Sequence, residues 1–239
     1  MESPIDTNAE IWKSEEHVRS RTARAAERER KNGAQWQLLA ELLPFGVDES
    51  FTFLDLGSGT GSAARKILDL FPNATAILSD FSPQMMAAGE EEMAPYSGRY
   101  RYVEFDMSTN AWPAAIPHTV DAVVSSMCIH HMPDHRKAGL FAEILEHLEP
   151  GGWYFNYDAV SAADPGVAAV WERTADRRDP EEAYKRAHRT AEDQARHENH
   201  VLYLVPLAQQ LECFAAAGFA DIDVYWKQLD DVIYGGRRP

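Results

Sequence analysis

Three glycines alternate with hydroxyl residues in Gly57-Ser58-Gly59-Thr60-Gly61, directly after the run Phe53-Leu54-Asp55-Leu56. The run reads as a buried strand that turns through glycine into a helix starting at Ser62, and the chemistry on offer is capture of a nucleoside cofactor. Glycine lets the backbone take positive φ and leaves no Cβ to hold a ligand off the main chain, while the helix start presents N–H groups without intrahelical partners. The spacing is GxGxG rather than the GxGxxG of a dinucleotide-binding turn. Asp80 closes a second apolar run, Ala74 to Ser79. A carboxylate at the end of such a strand accepts two hydrogen bonds from a cis-diol and repels a 2′-phosphate, which suits an adenosine ribose. NAD carries the same diol, so Asp80 alone fits either ligand. Asp106, after Tyr102-Val103-Glu104-Phe105, is suited to accept from an exocyclic amine and, with the glycine spacing, tips the choice away from NAD. The plainer alternative is that these residues cap the helices that follow, a reading with most force for Ser82 ahead of Pro83.

A second group of residues offers proton chemistry. His130 and His131 follow a fourth apolar run, Val120 to Ser126, and imidazole titrates near neutrality, so either can take a proton or orient an acceptor hydroxyl. Adjacent residues in one turn seldom point to the same place, so one of the pair is expected to pack or cap instead. Met127 and Cys128 read as strand-end packing. Asp158, beside Tyr157 at the end of a fifth run, is placed to meet a cationic or hydroxylated acceptor, its alternative being a helix cap. His197 and His200 stand i and i+3 and share a helix face. With Asp158 and one histidine of the earlier pair they have the ligand types a divalent metal prefers. Histidines on a charged helix are ordinarily solvated, and no metal is assigned. Trp12, Trp171, Tyr184 and Tyr203 can line an acceptor pocket, against a default of core packing.

The elements that must position these residues follow from periodicity. Strands are expected near 51–56, 74–80, 100–106, 119–126 and 152–158, alternating with helices near 61–71, 83–94 and 136–149. The last helix carries Leu140, Phe141, Ile144, Leu145 and Leu148 on one face. This alternation predicts an α/β, doubly wound parallel sheet, whose sites lie beyond the carboxyl ends of the strands. Residues 7–43 read as helical, ending at Pro44 and Gly46, and give an N-terminal helical lid over 1–46 ahead of a domain spanning 47–239. A charged helical insertion at about 160–205 interrupts that domain. Pro206 opens a final helix that Gly218 stops, and Asp221–Trp226 and Asp230–Tyr234 are strand-like. The charged faces at Arg19–Lys31 and Glu172–Arg196 are balanced in sign and read as solvated surface.

Taken together, the glycine turn, the acids at 80 and 106, Phe81-Ser82-Pro83-Gln84-Met85-Met86, His130-His131-Met132-Pro133-Asp134 and Leu148-Glu149-Pro150-Gly151-Gly152 stand in an order that resembles the class I S-adenosylmethionine-dependent methyltransferases. The likeness covers roughly residues 50 to 160, and the tail from Trp226 to Arg237 looks like that of small-molecule members. The resemblance implies a seven-stranded, mostly parallel Rossmann-like sheet with N-terminal helices. It implies S-adenosylmethionine as cofactor, held by Asp55, Gly57, Ser58, Gly59, Gly61, Asp80, Phe81, Met85, Asp106, Met107 and Ser126. From the residues themselves, His130 and His131 are the expected catalytic residues, with Trp12, Asp158, His197, His200 and Tyr203 expected around the acceptor.

Composition bounds the partners. The 239 residues carry a formal net charge of −15, which argues against a nucleic-acid footprint, because phosphate binding needs clustered Lys and Arg. No apolar run approaches the length of a membrane span, and MESPIDTNAE has neither a basic start nor an apolar core, so no secretory signal is expected. The two cysteines, Cys128 and Cys213, lack ligand spacing and suit a reduced, cytoplasmic protein. The expected activity is in-line methyl transfer to a small-molecule acceptor by a monomer or homodimer. The alternatives are a tRNA-modification enzyme of the same fold, methylating RNA or remodelling the cofactor, and a catalytically silent cofactor-binding protein.

Overall fold

A computed structural model describes residues 23–239 together with Ser14, Glu15 and Arg19. Trp12 lies outside the described residues. The helix α1 (Ala25–Glu41) precedes β1 (Thr52–Leu56), α2 (Ser62–Leu70), β2 (Thr75–Asp80), α3 (Pro83–Met93), β3 (Tyr100–Glu104), β4 (Val120–Ser126), α4 (Asp134–His147) and β5 (Leu148–Ala159). Three helices, α5 (Pro165–Arg178), α6 (Pro180–Ala187) and α7 (Ala191–Val201), form the insertion. Then α8 (Leu207–Ala216), β6 (Ala220–Gln228) and β7 (Asp231–Arg237) complete the sheet.

The seven strands lie in the order β3-β2-β1-β4-β5-β7-β6, parallel except for β7, which runs antiparallel to both its neighbours. The central strands read almost continuously apolar because both faces are covered. Side chains alternate between two cores, as period two demands. Phe53, Leu78, Val124 and Phe155 face Trp36 and Leu39 of α1 and Ile67 and Leu68 of α2. Leu54, Leu56, Val123 and Tyr154 face Phe141 and Ile144 of α4 and Phe214 of α8. From Ala25 onward the N-terminal segment therefore packs into the same core as the sheet. The strand order reverses between β1 and β4, which opens a crevice at their carboxyl ends.

Several boundaries differ from those read in the sequence. β3 stops at Glu104, so Asp106 sits in the loop beyond it, and β5 starts at Leu148, inside the span read as helix. There Gly151 takes φ +85° and pairs with the backbone of Arg238. Ser82 does cap α3, accepting from the Met85 N–H at 3.2 Å with Pro83 in the first turn. The inserted helices are capped by Asp164, Asp179 and a Thr190–Asp193 capping box, not by Asp158.

Candidate active site

The turn after β1 is built from three positive-φ glycines, Gly57 at +68°, Gly59 at +55° and Gly61 at +77°. A Cβ on Gly57 would stand 2.4 Å from Cys128 Sγ, so the loop fits only against the segment that follows β4. Gly61 faces the other way, where a Cβ would meet Met93 Sδ at 2.7 Å. It therefore shapes the helix entry and does not line the cleft, unlike the remaining residues read as cofactor ligands. Gly89 was not singled out in the sequence: the Tyr102 hydroxyl passes 2.0 Å from where its Cβ would be and donates to Gly59 O at 3.3 Å.

The two strand-end acids differ in environment. Asp80, 6 % exposed, accepts from Gly59 N–H at 2.8 Å on one oxygen and from Ser82 N–H at 2.9 Å on the other. Asp55 is buried with no hydrogen bond of normal geometry to either carboxylate oxygen. Burial first, and the neighbouring Asp80 second, push its pKa up to about 8, with the Ala64 N–H opposing. Asp106 is exposed on the rim, where it accepts from Ser108 N–H at 2.9 Å. Arg136, buried in α4, fixes this rim by donating to Met107 O and Thr109 O, both at 2.7 Å, while pairing with Glu143.

Beyond β4 the backbone is strained at Met127, whose φ is +53°. A 3₁₀ turn, Ile129–His131, then sets the adjacent imidazoles against each other, their ring centroids 4.0 Å apart. His130 is 3 % exposed and points inward, its N–H donating to Asp158 Oδ2 at 2.9 Å and its Nδ1 bonded to Asp158 Oδ1. His131 lines the cleft. Asp158 consequently anchors His130 and does not line the cleft, because Asn156 and His130 occupy its oxygens. His200 reaches down from α7 so that its Nδ1 lies 3.3 Å from His130 Nε2, and burial with the nearby His130 pushes its pKa down to about 4. His197 does not join this cluster. Tyr203 lines the cleft, Tyr184 is 64 % exposed against His188, and Trp171 stacks under Lys227. Burial raises the Cys128 thiol well above its usual range, so it is packing rather than a nucleophile.

α1 supplies what the sequence reading missed. Arg28, Asn32 and Trp36 line the cleft, with Trp36 Nε1 donating to Ser126 Oγ at 2.7 Å and Tyr157 OH donating to Asn32 Oδ1 at 3.2 Å. Arg28 and Asn32 fall within or beside a face of alternating charge that reads as solvated. The signal available was their i, i+4, i+8 spacing with Trp36, which puts all three on one helical stripe.

A family model described as "Methyltransferase domain" matches residues 53–152. The trans-aconitate 2-methyltransferase of Azoarcus sp. (strain BH72) is 29 % identical over 106 residues, covering 44 % of this chain and 38 % of the relative. The acetylserotonin O-methyltransferase of Gallus gallus is 26 % identical, covering 52 % of this chain and 34 % of the relative. The chain thus spans between a third and two fifths of these relatives' length. Among solved structures, human N-acetylserotonin methyltransferase in complex with SAM superposes with a TM-score of 0.63 at 18 % identity, covering 95 % of this chain and 57 % of that one. PigF with SAH gives a TM-score of 0.65 at 16 % identity, covering 99 % and 62 %. The domain match falls on the glycine turn and the strand-end acids, so residues 53–152 are similar to a methyltransferase domain, and the chain shares its fold with these methyltransferase structures.

Proposed function

We propose that this chain transfers a methyl group from S-adenosylmethionine to a small-molecule acceptor. The observation that carries the reading is one cleft that joins Asp55, Asp80 and Asp106 around the glycine turn at one side to His131 and Tyr203 at the other. The residues fit the cofactor. Asp55 is a buried carboxyl with no hydrogen bond of normal geometry to its oxygens, and a cationic amino group in the methionine part would pair with its charged form. Asp80, which accepts from the Gly59 and Ser82 N–H groups, is a carboxylate whose two oxygens suit a ribose diol as well. Asp106 faces an exocyclic amine from the rim. Gly57 and Gly59 let the main chain approach the ligand.

When bound, the cofactor supplies a methyl carbon already activated by a sulfonium. The protein's task is alignment: holding the acceptor atom ~3 to 3.5 Å from that carbon with water excluded contributes several kcal/mol. His131, in the wall, takes the proton of a hydroxyl acceptor or orients it, and His130, locked by Asp158, fixes the turn that carries His131. The names of the relatives, a trans-aconitate and an acetylserotonin methyltransferase, support a small acceptor for this chain too. Among the described residues no helix is long and apolar enough to cross a membrane.

The test is calorimetric titration of ligand-free protein with S-adenosylmethionine, S-adenosylhomocysteine and NAD side by side, followed by acceptor screening. Binding of the two adenosyl sulfur ligands without NAD is expected. Binding of NAD alone would overturn the reading.

A further inference from the structure

We infer that His130, His131 and His200 form a binding site for a divalent transition-metal ion at the acceptor side of the cleft. One ring nitrogen from each lies within 4.8 Å of the others. The pair His130 Nε2 and His200 Nδ1 stands 3.3 Å apart, against ~3.4 Å between two nitrogens of a tetrahedral ion with bonds of ~2.05 Å. Bringing the third nitrogen onto the same ion requires a shift of His131, which sits on the short turn Ile129–His131.

The surroundings are those of a metal site rather than of a histidine hydrogen-bond pair alone. His130 gives its Nδ1 to Asp158, and that carboxylate is held in turn by the His130 N–H and Asn156 Nδ2. A carboxylate on the far nitrogen fixes the tautomer and leaves the Nε2 lone pair directed at the cluster, as partners of metal-ligating histidines do. Three imidazole ligands suit zinc, iron, nickel or copper and not magnesium or calcium. Three protein ligands with a fourth position open are the arrangement of catalytic sites, and His131, shared between the cluster and the cleft wall, would with the ion bound orient the acceptor rather than take its proton. The ligands also come from two distant segments, the turn after β4 and the inserted helix α7, so the ion would pin the insertion over the cleft. The open position suits an anionic oxygen of the acceptor, such as an enolate or a carboxylate beside a hydroxyl. That last role rests on the proposed methyl transfer, whereas the metal site does not.

The experiment uses tag-free protein stripped with chelator and titrated with Zn²⁺, with Co²⁺ as an optical substitute. One equivalent per chain is expected, with visible Co²⁺ bands of a nitrogen-rich, low-coordinate site. His200→Ala, on a partly exposed helix, and His131→Ala each abolish stoichiometric binding while circular dichroism stays native. Asp158→Asn keeps the site but weakens it about 10- to 100-fold. S-adenosylhomocysteine is titrated in parallel. Loss of Zn²⁺ binding in the variants with the adenosyl ligand still bound supports the site independently of the cofactor reading. Failure of the wild type to take up Zn²⁺, or uptake unchanged by both histidine variants, overturns it, whatever the adenosyl ligand does.

Discussion

Replacing Asp80 by Asn separates a ligand-binding carboxylate from a merely structural one. In the folded chain one oxygen accepts from Gly59 N–H at 2.8 Å and the other from Ser82 N–H at 2.9 Å, in a side chain almost out of contact with water. Asparagine keeps one of these acceptors and turns an NH₂ toward the other donor. One backbone N–H is stranded, and the charge that strengthened both bonds is gone. Hydrogen bonds to a charged group contribute about 1.5 to 3 kcal/mol each, so the ligand-free variant should lose about that much stability. For a chain of this size that lowers the melting temperature by roughly 3 to 12 °C. A ribose diol meets the same loss a second time, because one of its two acceptors has become a donor. The expected weakening of S-adenosylhomocysteine binding is a further 1.5 to 3 kcal/mol, or about 10- to 150-fold in Kd. Calorimetric titration gives the Kd and differential scanning calorimetry the stability. Ser82→Ala is the control: it removes the helix cap, costs about 1 kcal/mol and leaves affinity near that of the wild type. A folded Asp80→Asn protein that melts low but binds within threefold of the wild type would refute the ribose role.

Other outcomes follow from the same geometry. The Asp55 carboxyl is raised to about 8 in the fold from 3.8, so its neutral form is favoured; the stability it confers is full below about pH 4 and is lost as pH rises through 8. Melting temperatures of ligand-free wild type and Asp55→Asn should therefore diverge in favour of Asn across that window, and a constant difference would sink the assignment. His130→Ala and His131→Ala should lower turnover more than cofactor affinity, with His130→Ala also losing about 1 to 3 kcal/mol because it strands Asp158 Oδ1, the backbone N–H and Asn156 still serving Oδ2; equal effects on turnover and affinity would make both purely structural. Gly57→Ala must both hold φ +68° and displace Cys128, whereas Gly98→Ala at φ +83° meets open space. Urea denaturation should show Gly98→Ala costing about 1 to 2 kcal/mol and Gly57→Ala clearly more, with binding lost only in the latter.

What could be read from the chain was what repeats at short range. Alternating glycines, apolar runs of strand length and the helical stripe on α4 each report a local constraint, and the sheet order follows from their alternation. The fate of Asp158 was not local. Its partner, His130, is 28 residues away, and only the parallel pairing of β4 with β5 brings them together. His200 illustrates the same limit: in the sequence it is a histidine on a charged helix, and its meeting with His130 depends on how three inserted helices fold back over the sheet. Gly61 shows the converse, since its place in the motif was legible while the direction it faces was set by Met93 and Tyr102. Arg28 hid within balanced charge, because composition does not tell which turn of a surface helix faces inward.

Trp36 gives the chain an optical handle of its own. Its indole is 5 % exposed, lines the cleft and is oriented by the 2.7 Å bond from Nε1 to Ser126. A rigid, dry indole emits at short wavelength, and a sulfonium arriving beside it would change both intensity and colour, whereas the uncharged thioether left after transfer would change them differently. Emission could thus follow cofactor arrival, turnover and product departure on a stopped-flow timescale without any label, with Trp36→Phe marking the contribution of the remaining tryptophans.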